Sequence, residues 1–323
     1  MAAIGRKQTY QNVRFRPKAD IEPGTTDHEE ARRSISRAGR QTPSSCLPTT
    51  QCPTSCNAAR DPRYYCAMAP RTHPTAVIST NANLAADVVV GPYAVIEDLV
   101  EIGEGTTIGP HAVIHSFVRM GKQNRIHGHA IIGDQPQLVD FDGSETWVNI
   151  GDGNVFREGV TIHRSIYPGK STRVGSNCYF MTYSHVGHDC IVGDGVMLTN
   201  NVMLGGHVTV GERAIFGGNA GAHQFVRVGP YCMVAAYVPL RKDALPYSMI
   251  GGSPIRHYRL NVVGLRRSGV QGKRYRALEQ AFRTLRSGSQ DLSELPETEE
   301  TKFLQNWLHE ESKRGIYGFA SSM

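Results

Sequence analysis

The amino-acid sequence predicts an all-β fold, a left-handed parallel β-helix built from hexapeptide repeats, followed by a C-terminal α-helical domain. The first observation behind this is an apolar residue at every sixth position from Ile78 to Leu240, with two interruptions. The second is a small residue that often follows it, such as Gly91 or Gly103. The third is a helical pattern of apolar residues after Leu240.

A period of six fits neither an α-helix, which repeats at about 3.6 residues, nor an ordinary strand, which repeats at 2. It fits one short strand plus a tight corner, so three such units make a triangular coil of about 18 residues. Coils stack at about 4.8 Å, and residues 18 apart lie above one another. We expect the glycine to turn the corner, often with a positive φ. A β-sandwich does not account for more than twenty matches in one frame.

Composition excludes several classes of protein. The net charge of +6 over 323 residues is a mild excess that does not predict a nucleic-acid partner. The sequence contains no run of 18 apolar residues, so it predicts no membrane span. The first residues also lack the apolar segment of a secretory signal. We therefore expect a cytoplasmic protein, with Cys178, Cys190 and Cys232 as buried, reduced thiols. Cys52 and Cys56 have no partner set for a metal site.

Three segments differ in composition. Residues 1–67 are polar and aperiodic and predict a disordered or dispensable extension. An organelle transit peptide is an alternative that its acidic residues oppose, and a start at Met68 is another. Residues 68–245 form the predicted β-helix, and residues 246–323 form the predicted helical domain.

Two interruptions predict loops that leave the β-helix. One lies between Ile132 and Ile150 and reads GDQPQLVDFDGSETW, and the other reads SIYPGKST, with Pro168 at an inward position. Loops on a rigid solenoid are where function concentrates.

After Leu240 we expect an irregular cover with turns at Gly251–Gly252 and Pro254, then two helices that cap the open edge of the β-helix. The first helix reads GKRYRALEQAFRTLRSG and ends at Gly288. The second runs from Thr298 to Lys313. The predicted buried residues of the two helices are Tyr275, Leu278, Phe282 and Leu285, and Phe303, Trp307 and Leu308.

Histidines gather on one predicted edge of the β-helix. At 18 residues per coil, His188, Gly206 and Gln224 stack in one column. The residues that flank this column are His185, His207 and His223.

These residues suit acyl transfer. His188 is a candidate general base, Asp189 orients its ring if a corner brings the two together, and the Gly206 N–H is a candidate oxyanion donor. A substrate hydroxyl would attack directly. Two alternatives remain at this point: the histidines are surface corner residues, or three of them bind zinc.

Several segments resemble the UDP-N-acetylglucosamine O-acyltransferases of lipid A synthesis. The resemblance covers about residues 72–318 and rests on these motifs: HPTAVI, EIGEGT, NVFREGVTIHR, SHVGHDCIVG, NNVMLGGHVTV, GGNAGAHQFVRVG and NVVGLRRSG. It implies a homotrimer with sites between neighbouring β-helices. It also implies transfer of a 3-hydroxyacyl chain from acyl carrier protein to the 3-hydroxyl of UDP-N-acetylglucosamine, with no cofactor and no metal.

The resemblance also implies residue roles. His188 becomes the general base with Asp189 beside it, and Gly206 the oxyanion donor. Met233 and Ala236 match positions that set acyl-chain length. The residues at substrate-binding positions are Gln137, His185, His207, His223, Gln224, Asn261 and Arg267.

Four residues depart from the family pattern in the part that recognises the sugar: Leu138, Asp140, Val263 and Ser268. Charge is removed at Leu138 and reversed at Asp140. Three hypotheses therefore stand beside the main one. The chain acylates a different UDP-amino sugar, it is an acetyl-CoA-dependent sugar acetyltransferase, or it is a non-catalytic sugar-nucleotide-binding protein.

Overall fold

A computed structural model describes residues 71–320, which contain 27 short strands and three α-helices. The predicted extension at residues 1–67 and Met68 lie outside the described residues, and the boundary between residues 245 and 246 stays a prediction. The strands are β1 (Val77–Ile78), β2 (Asn83–Leu84), β3 (Val89–Val90), β4 (Val95–Ile96), β5 (Glu101–Ile102), β6 (Thr107–Ile108), β7 (Val113–Ile114), β8 (Val118–Met120), β9 (Arg125–Ile126), β10 (Ile131–Asp134), β11 (Trp147–Ile150), β12 (Val155–Phe156), β13 (Thr161–His163), β14 (Ser171–Val174), β15 (Tyr179–Phe180), β16 (His185–Val186), β17 (Ile191–Val192), β18 (Met197–Leu198), β19 (Met203–Leu204), β20 (Thr209–Val210), β21 (Ile215–Phe216), β22 (Gly221–Ala222), β23 (Arg227–Val228), β24 (Met233–Val234), β25 (Pro239–Leu240), β26 (Ser248–Gly251) and β27 (Arg256–Leu260).

Every third strand joins the same sheet, so the chain winds through three parallel sheets in turn. The first sheet has the order β1-β4-β7-β10-β13-β16-β19-β22-β25, and the second has the order β2-β5-β8-β11-β14-β17-β20-β23. The third runs from β3 to β24 and continues into β26 and β27. Pairings such as Val77 with Val95 and Val95 with Val113 step by 18 residues. The predicted parallel β-helix is therefore confirmed.

The six-residue apolar repeat forms the core of the β-helix. Ile96, Ile114, Ile132 and Ile162 are at most 1% exposed and lie on consecutive strands of the first sheet. Each therefore packs on its equivalents in neighbouring coils, which buries apolar area along the whole length of the solenoid.

The predicted role of the glycines was wrong in one respect. A Cβ on Gly103 would lie 2.7 Å from the carbonyl carbon of Gly121 in the next coil, so glycine is needed for close approach of two backbones. The left-handed conformation falls two residues after such a glycine, either on a second glycine such as Gly105 or on a residue with a side chain. Tyr93, two positions after Gly91, has a φ of 57°, and His111, two positions after Gly109, also has 57°.

Both predicted loops are present. Residues 135–146 separate β10 from β11, and residues 164–170 separate β13 from β14. β10 and β13 still pair, as do β13 and β16, so the loops leave the solenoid without breaking its ladder.

The segment after Leu240 is more regular than predicted. β26 pairs in parallel with β24 of the last coil and antiparallel with β27, with the turn at residues 252–255. A short helix, α1 (Val262–Arg267), follows. Its N-cap is Asn261, whose side chain accepts a hydrogen bond from the Gly264 N–H at 3.0 Å.

Both predicted C-terminal helices form. α2 (Gly272–Arg286) buries Leu278 and Phe282, and Gly288 follows its end with a φ of 102°. Tyr275 and Leu285 are half-buried.

The helix α3 (Glu299–His309) has a capping box at Thr298 and ends before the predicted Lys313, because Glu310 has an extended backbone. Phe303 is exposed, contrary to prediction. Leu304 is buried one turn before the buried Trp307, and Leu308 beside it is half-buried.

A second core joins these helices to the segment after the β-helix. Leu245, Tyr247 and Leu260 pack with Leu278 and Trp307. No helix among residues 71–320 is long and apolar enough to span a bilayer. Cys178, Cys190 and Cys232 are buried free thiols, as predicted, and burial raises the pKa of Cys190 to about 12.

A buried ion pair joins the last coil to the segment just after it, and the same arginine also contacts the end of α3. Arg227 Nε on β23 donates to Asp243 Oδ2 at 2.7 Å, and Asp243 is fully buried. Arg227 Nη1 donates to Glu310 Oε2 at 3.0 Å, and the guanidinium carbon lies 4.1 Å from the ring centroid of Trp307.

We predict that Arg227→Ala lowers the free energy of unfolding by about 3–5 kcal/mol, because it leaves the buried Asp243 carboxylate without its cation. Chemical denaturation at neutral pH measures this change. The matched control is Arg283→Ala on α2, where the exposed pair with Glu279 at 3.4 Å contributes less than about 1 kcal/mol. Equal effects of the two substitutions would contradict the prediction.

Candidate active site

The predicted histidine column lies at the turns from the first sheet to the second. His188 is in the turn after β16, Gly206 in the turn after β19, and Gln224 in the turn after β22. These three strands pair directly at 18-residue steps. Counting the repeat therefore located the column correctly.

His188 and Asp189 form a hydrogen-bonded pair. His188 Nδ1 lies 2.8 Å from Asp189 Oδ2, and the two side chains are 14% and 10% exposed. Asp189 has a φ of 59°, so the chain turns a corner at this residue. The corner brings the side chains of two adjacent residues together, which was the condition for the predicted pair. Because a carboxylate only accepts, Nδ1 carries the proton and Nε2 is left as the basic nitrogen.

The 164–170 loop holds the Asp189 carboxylate. The hydroxyl of the buried Ser165 donates to Asp189 Oδ1, and the Ile166 N–H donates to Oδ2 at 3.2 Å. The Asp189 N–H donates to Thr172 Oγ1 at 2.8 Å. No motif in the sequence pointed to Ser165, Ile166 or Thr172. The only signal was the break in the repeat at SIYPGKST, which indicates a loop but not its contacts.

Gly206 leaves room for the His188 ring and keeps a free N–H. A Cβ at this position would lie 2.3 Å from His188 Cε1 and 2.4 Å from Nε2. The neighbouring N–H groups of Gly205 and His207 donate to the carbonyls of Ala222 and His188. The Gly206 N–H has no hydrogen-bond partner among residues 71–320. A donor beside the basic ring nitrogen is the geometry that an oxyanion needs.

The column borders a cleft of about 150 Å³. Its lining consists of Gln137, His163, His185, Gly187, His188, Gly205, Gly206 and Gln224. His163 was not predicted. Its Nδ1 lies 2.5 Å from the Gln135 carbonyl, so this contact ties β13 to the 135–146 loop that carries Gln137.

His185 is neutral at physiological pH. Burial, with smaller contributions from His163 and His188, lowers its pKa to about 4. Its Nδ1 lies 2.8 Å from Thr161 Oγ1. It therefore presents a neutral ring to the cleft, which suits a hydrogen bond to an uncharged polar group.

The other flanking histidines contact an aromatic ring and the C-terminal segment. The His207 ring meets the His188 ring edge-on at 4.9 Å and stacks on Phe225 at 4.5 Å. Burial is the largest of several influences that lower the pKa of His207. His223 Nδ1 accepts from the guanidinium of Arg314, which also donates to the Gln224 carbonyl at 2.8 Å. No motif in the sequence pointed to Arg314.

Other predicted residues lie elsewhere in the chain. Met233 is on β24 of the third sheet, and Ala236 is in the turn from the third sheet to the first. Asn261 is the N-cap of α1 and also donates to the Tyr231 carbonyl at 2.9 Å, while Arg267 is exposed on that helix. None of these four residues lines the cleft.

Known proteins resemble two thirds or more of this chain. A model of bacterial transferase hexapeptide repeats matches residues 171–206, and one described as UDP N-acetylglucosamine O-acyltransferase, domain 2, matches residues 243–317. The acyl-[acyl-carrier-protein]–UDP-N-acetylglucosamine O-acyltransferase of Stenotrophomonas maltophilia strain R551-3 is 47% identical over 219 residues, which are 67% of this chain and 83% of that relative. This chain belongs to the UDP-N-acetylglucosamine O-acyltransferase family.

Other members of the family show a similar resemblance to this chain. The enzyme of the same name from Alkalilimnicola ehrlichii is 50% identical over 216 residues, which are 67% of this chain and 84% of that relative. The solved structure of the UDP-N-acetylglucosamine acyltransferase from Campylobacter jejuni has a TM-score of 0.71 and 35% identity, and the match covers 77% of this chain and 100% of that one.

Among residues 71–320, one group has ligand atoms close enough to hold a metal ion. Atoms of His188, Asp189 and His207 lie within 4.8 Å of one another. The Asp189 carboxylate, however, already accepts from His188, Ser165 and Ile166. An ion there would displace those hydrogen bonds. The donor set therefore fits a hydrogen-bonded pair better than the three-histidine zinc site considered above.

We predict that Gly206→Ala reduces kcat for acyl transfer at least about 100-fold, because the new methyl group displaces the His188 ring. Gly318→Ala in the C-terminal segment is the matched control, since its Cβ would meet no atom closer than Arg256 Cδ at 4.0 Å. Steady-state rates and circular dichroism of both variants measure this. A Gly206→Ala rate within twofold of wild type would contradict the ring position.

Proposed function

We propose that this acyltransferase moves a 3-hydroxyacyl chain from acyl carrier protein to the 3-hydroxyl of UDP-N-acetylglucosamine, the first step of lipid A biosynthesis. The observation that carries the proposal is the His188–Asp189 pair in one cleft with Gly206, whose N–H has no hydrogen-bond partner among residues 71–320. The names of the relatives supply the donor and the acceptor. We also propose the cytoplasmic location expected from the sequence, because the acyl donor in this reaction is an acyl carrier protein.

His188 acts as the general base. Its Nε2 takes the proton of the sugar hydroxyl as that oxygen attacks the thioester carbonyl carbon, and Asp189 stabilises the resulting imidazolium. The Gly206 N–H donates to the oxyanion of the tetrahedral intermediate. When the C–S bond breaks, the imidazolium returns the proton to the leaving thiolate. The step needs no cofactor and no metal.

The remaining cleft residues recognise substrate. The amides of Gln137 and Gln224 and the neutral ring of His185 line the cleft and supply both donors and acceptors for sugar hydroxyls. His207 and His223 flank these residues on the following coils. We assign all five to substrate binding.

A homotrimer completes the site. The outward-facing residues on the first sheet are mostly apolar: Val77, Val95, Val113, Ile131, Met203 and Pro239. Val77 and Met203 are 63% and 60% exposed, so this face suits a second copy of the chain. Met233 and Ala236 lie away from the His188 turn within one chain. An acyl pocket that uses them, and contacts from Asn261 and Arg267, would therefore come from a neighbouring chain.

A different UDP-amino sugar is the second candidate acceptor. Leu138 and Asp140 are exposed on the loop that carries Gln137, and Val263 is exposed on α1. Ser268 is engaged with the Gly264 carbonyl at 3.0 Å. An acidic Asp140 beside the cleft would favour a cationic amino group on the sugar.

We predict that His188→Ala retains the fold and loses about 10²–10⁴-fold in kcat, the usual cost of removing a general base. The matched control is His111→Ala, which removes an exposed ring stacked between Tyr93 and His129 at a different corner and leaves the rate within twofold.

Mass spectrometry of products from mixed acyl-ACPs, acetyl-CoA and several UDP-hexosamines gives donor, chain length and acceptor in one experiment. Product from acetyl-CoA alone, or undiminished turnover by His188→Ala, would refute the proposal. Binding of a UDP-sugar without product from any donor would favour a non-catalytic role.

We predict that the shared site can be detected by complementation. Ala236→Trp alone blocks the acyl pocket and His188→Ala alone removes the base, so each homotrimer is inactive. Because each site takes His188 from one chain and Ala236 from the next, random mixed trimers from co-expression recover about a quarter of wild-type activity. Sedimentation gives the oligomeric state, and mixed trimers without activity would show that the two residues do not share a site across chains.

A further inference from the structure

The chain after α3 returns to the cleft and brings two cations with it. The Asp243 N–H donates to the Gly315 carbonyl at 2.8 Å, and the Tyr317 N–H donates to the Asp243 carbonyl at 3.1 Å. These contacts pair residues 315–317 with the segment just after β25. They place Lys313 and Arg314, the residues immediately before, beside the last turns of the histidine column.

Arg314 is built into the edge of the cleft. Its Nε donates to the Gln224 carbonyl at 2.8 Å, and a second guanidinium nitrogen donates to His223 Nδ1. Gln224 lines the cleft and His223 precedes it. The planar guanidinium is thus held at one edge, which leaves its other N–H groups for an oxygen ligand.

Lys313 extends the same edge. Its exposed ammonium lies 4.6 Å from the ring centroid of Phe225, which stacks on His207. The Lys313 charge also contributes to the lowered pKa of His207, after burial and His188. The ammonium is therefore electrostatically coupled to the group that contacts the His188 ring.

Neither cation is neutralised by a carboxylate of its own chain. Among residues 71–320, no carboxylate oxygen lies within 4.0 Å of Lys313 or Arg314. The nearby Glu310 is paired with Arg227 at 3.0 Å. The next turn of the column adds two further basic residues, Arg241 and Lys242. An uncompensated cluster of this kind attracts an anion.

We propose that Lys313 and Arg314 form a phosphate-binding rim of the catalytic cleft, which holds a phosphate ester carried by one of the two substrates. This inference rests on the proposed function, in which both substrates are phosphate esters. The sugar nucleotide carries a diphosphate, and acyl carrier protein presents its acyl chain on a phosphopantetheine arm. Arg314 supplies fixed donors, and Lys313 supplies a mobile charge at the mouth.

The rim lies beyond the reacting atoms, so it binds the ground state and the transition state equally. Its loss should therefore raise KM or Kd and leave kcat nearly unchanged. A base or an oxyanion donor would show the opposite pattern, because its loss lowers kcat.

The test compares Lys313→Gln, Lys313→Arg and the double variant Lys313→Gln/Arg314→Gln. The matched control is Lys302→Gln on α3, which removes an exposed lysine 3.5 Å from Glu297. KM is measured for UDP-N-acetylglucosamine at saturating acyl-ACP and for acyl-ACP at saturating sugar nucleotide. Calorimetry measures the Kd of each ligand without turnover.

We expect Lys313→Gln to raise the KM and Kd of one substrate about five- to tenfold at low salt, and the double variant to raise them more. Lys313→Arg and Lys302→Gln should stay within twofold of wild type. The increase should shrink at high ionic strength, because added salt screens the wild-type charges. An effect on UDP-N-acetylglucosamine assigns the rim to the diphosphate, and an effect on acyl-ACP assigns it to the prosthetic arm.

Kd values within twofold of wild type in the double variant would overturn the rim, as would wild-type protein that binds neither phosphate ester. Failure of the proposed function gives a different result. Wild-type protein would then form no acylated product, while calorimetry would still show whether Lys313 and Arg314 hold a phosphate ester.

Discussion

The hydrogen-bond ladder between successive coils is the constraint on which the rest of the structure depends. Each short strand donates to the coil above it, as the Gly187 N–H does to the Leu204 carbonyl at 2.9 Å and the Gly205 N–H to the Ala222 carbonyl at 2.9 Å. A single coil, with a strand of mostly two residues on each side, cannot bury an apolar face alone, so stability comes from stacking. The inward column that includes Ile96 and Ile162 and the close approach of glycine backbones both follow from this spacing.

The same spacing builds the candidate site. A rigid ladder places His188, Gly206 and Gln224 in one column, which needs no flexible loop to assemble. The loops then supply what a regular coil lacks. One carries Gln137 to the cleft, and the other holds the Asp189 carboxylate through Ser165. The candidate site thus combines residues positioned by the six-residue repeat with residues from loops that lie outside the repeat.

The C-terminal part serves stability and the site together. Arg227 forms a buried pair with Asp243, which follows the last coil, and it also pairs with Glu310 after α3. The chain continues from Glu310 to Arg314 at the cleft. A solenoid needs a cover at its open end, since unpaired strands invite association. Here the cover, including β26 and the helices, also brings cations to the edge of the active cleft.

Local patterns in the sequence were enough to predict much of this protein. A six-residue period dictates three parallel sheets, because only a strand and a corner fit it, and counting by 18 places His188 beside Gly206. Helical periodicity located α2 and α3. β26, β27 and α1 were missed because short elements with Gly and Pro lack a sustained period.

Other features depended on three-dimensional contacts that no spacing encodes. Ser165 reaches Asp189 over 24 residues, His163 reaches Gln135 over 28, and Arg314 reaches His223 over 91. Each is a side-chain hydrogen bond set by where a loop or a returning segment lies, which no repeat determines. The position of the candidate base follows from periodicity, whereas the groups that orient it and surround its cleft follow from how the irregular segments pack on the ladder.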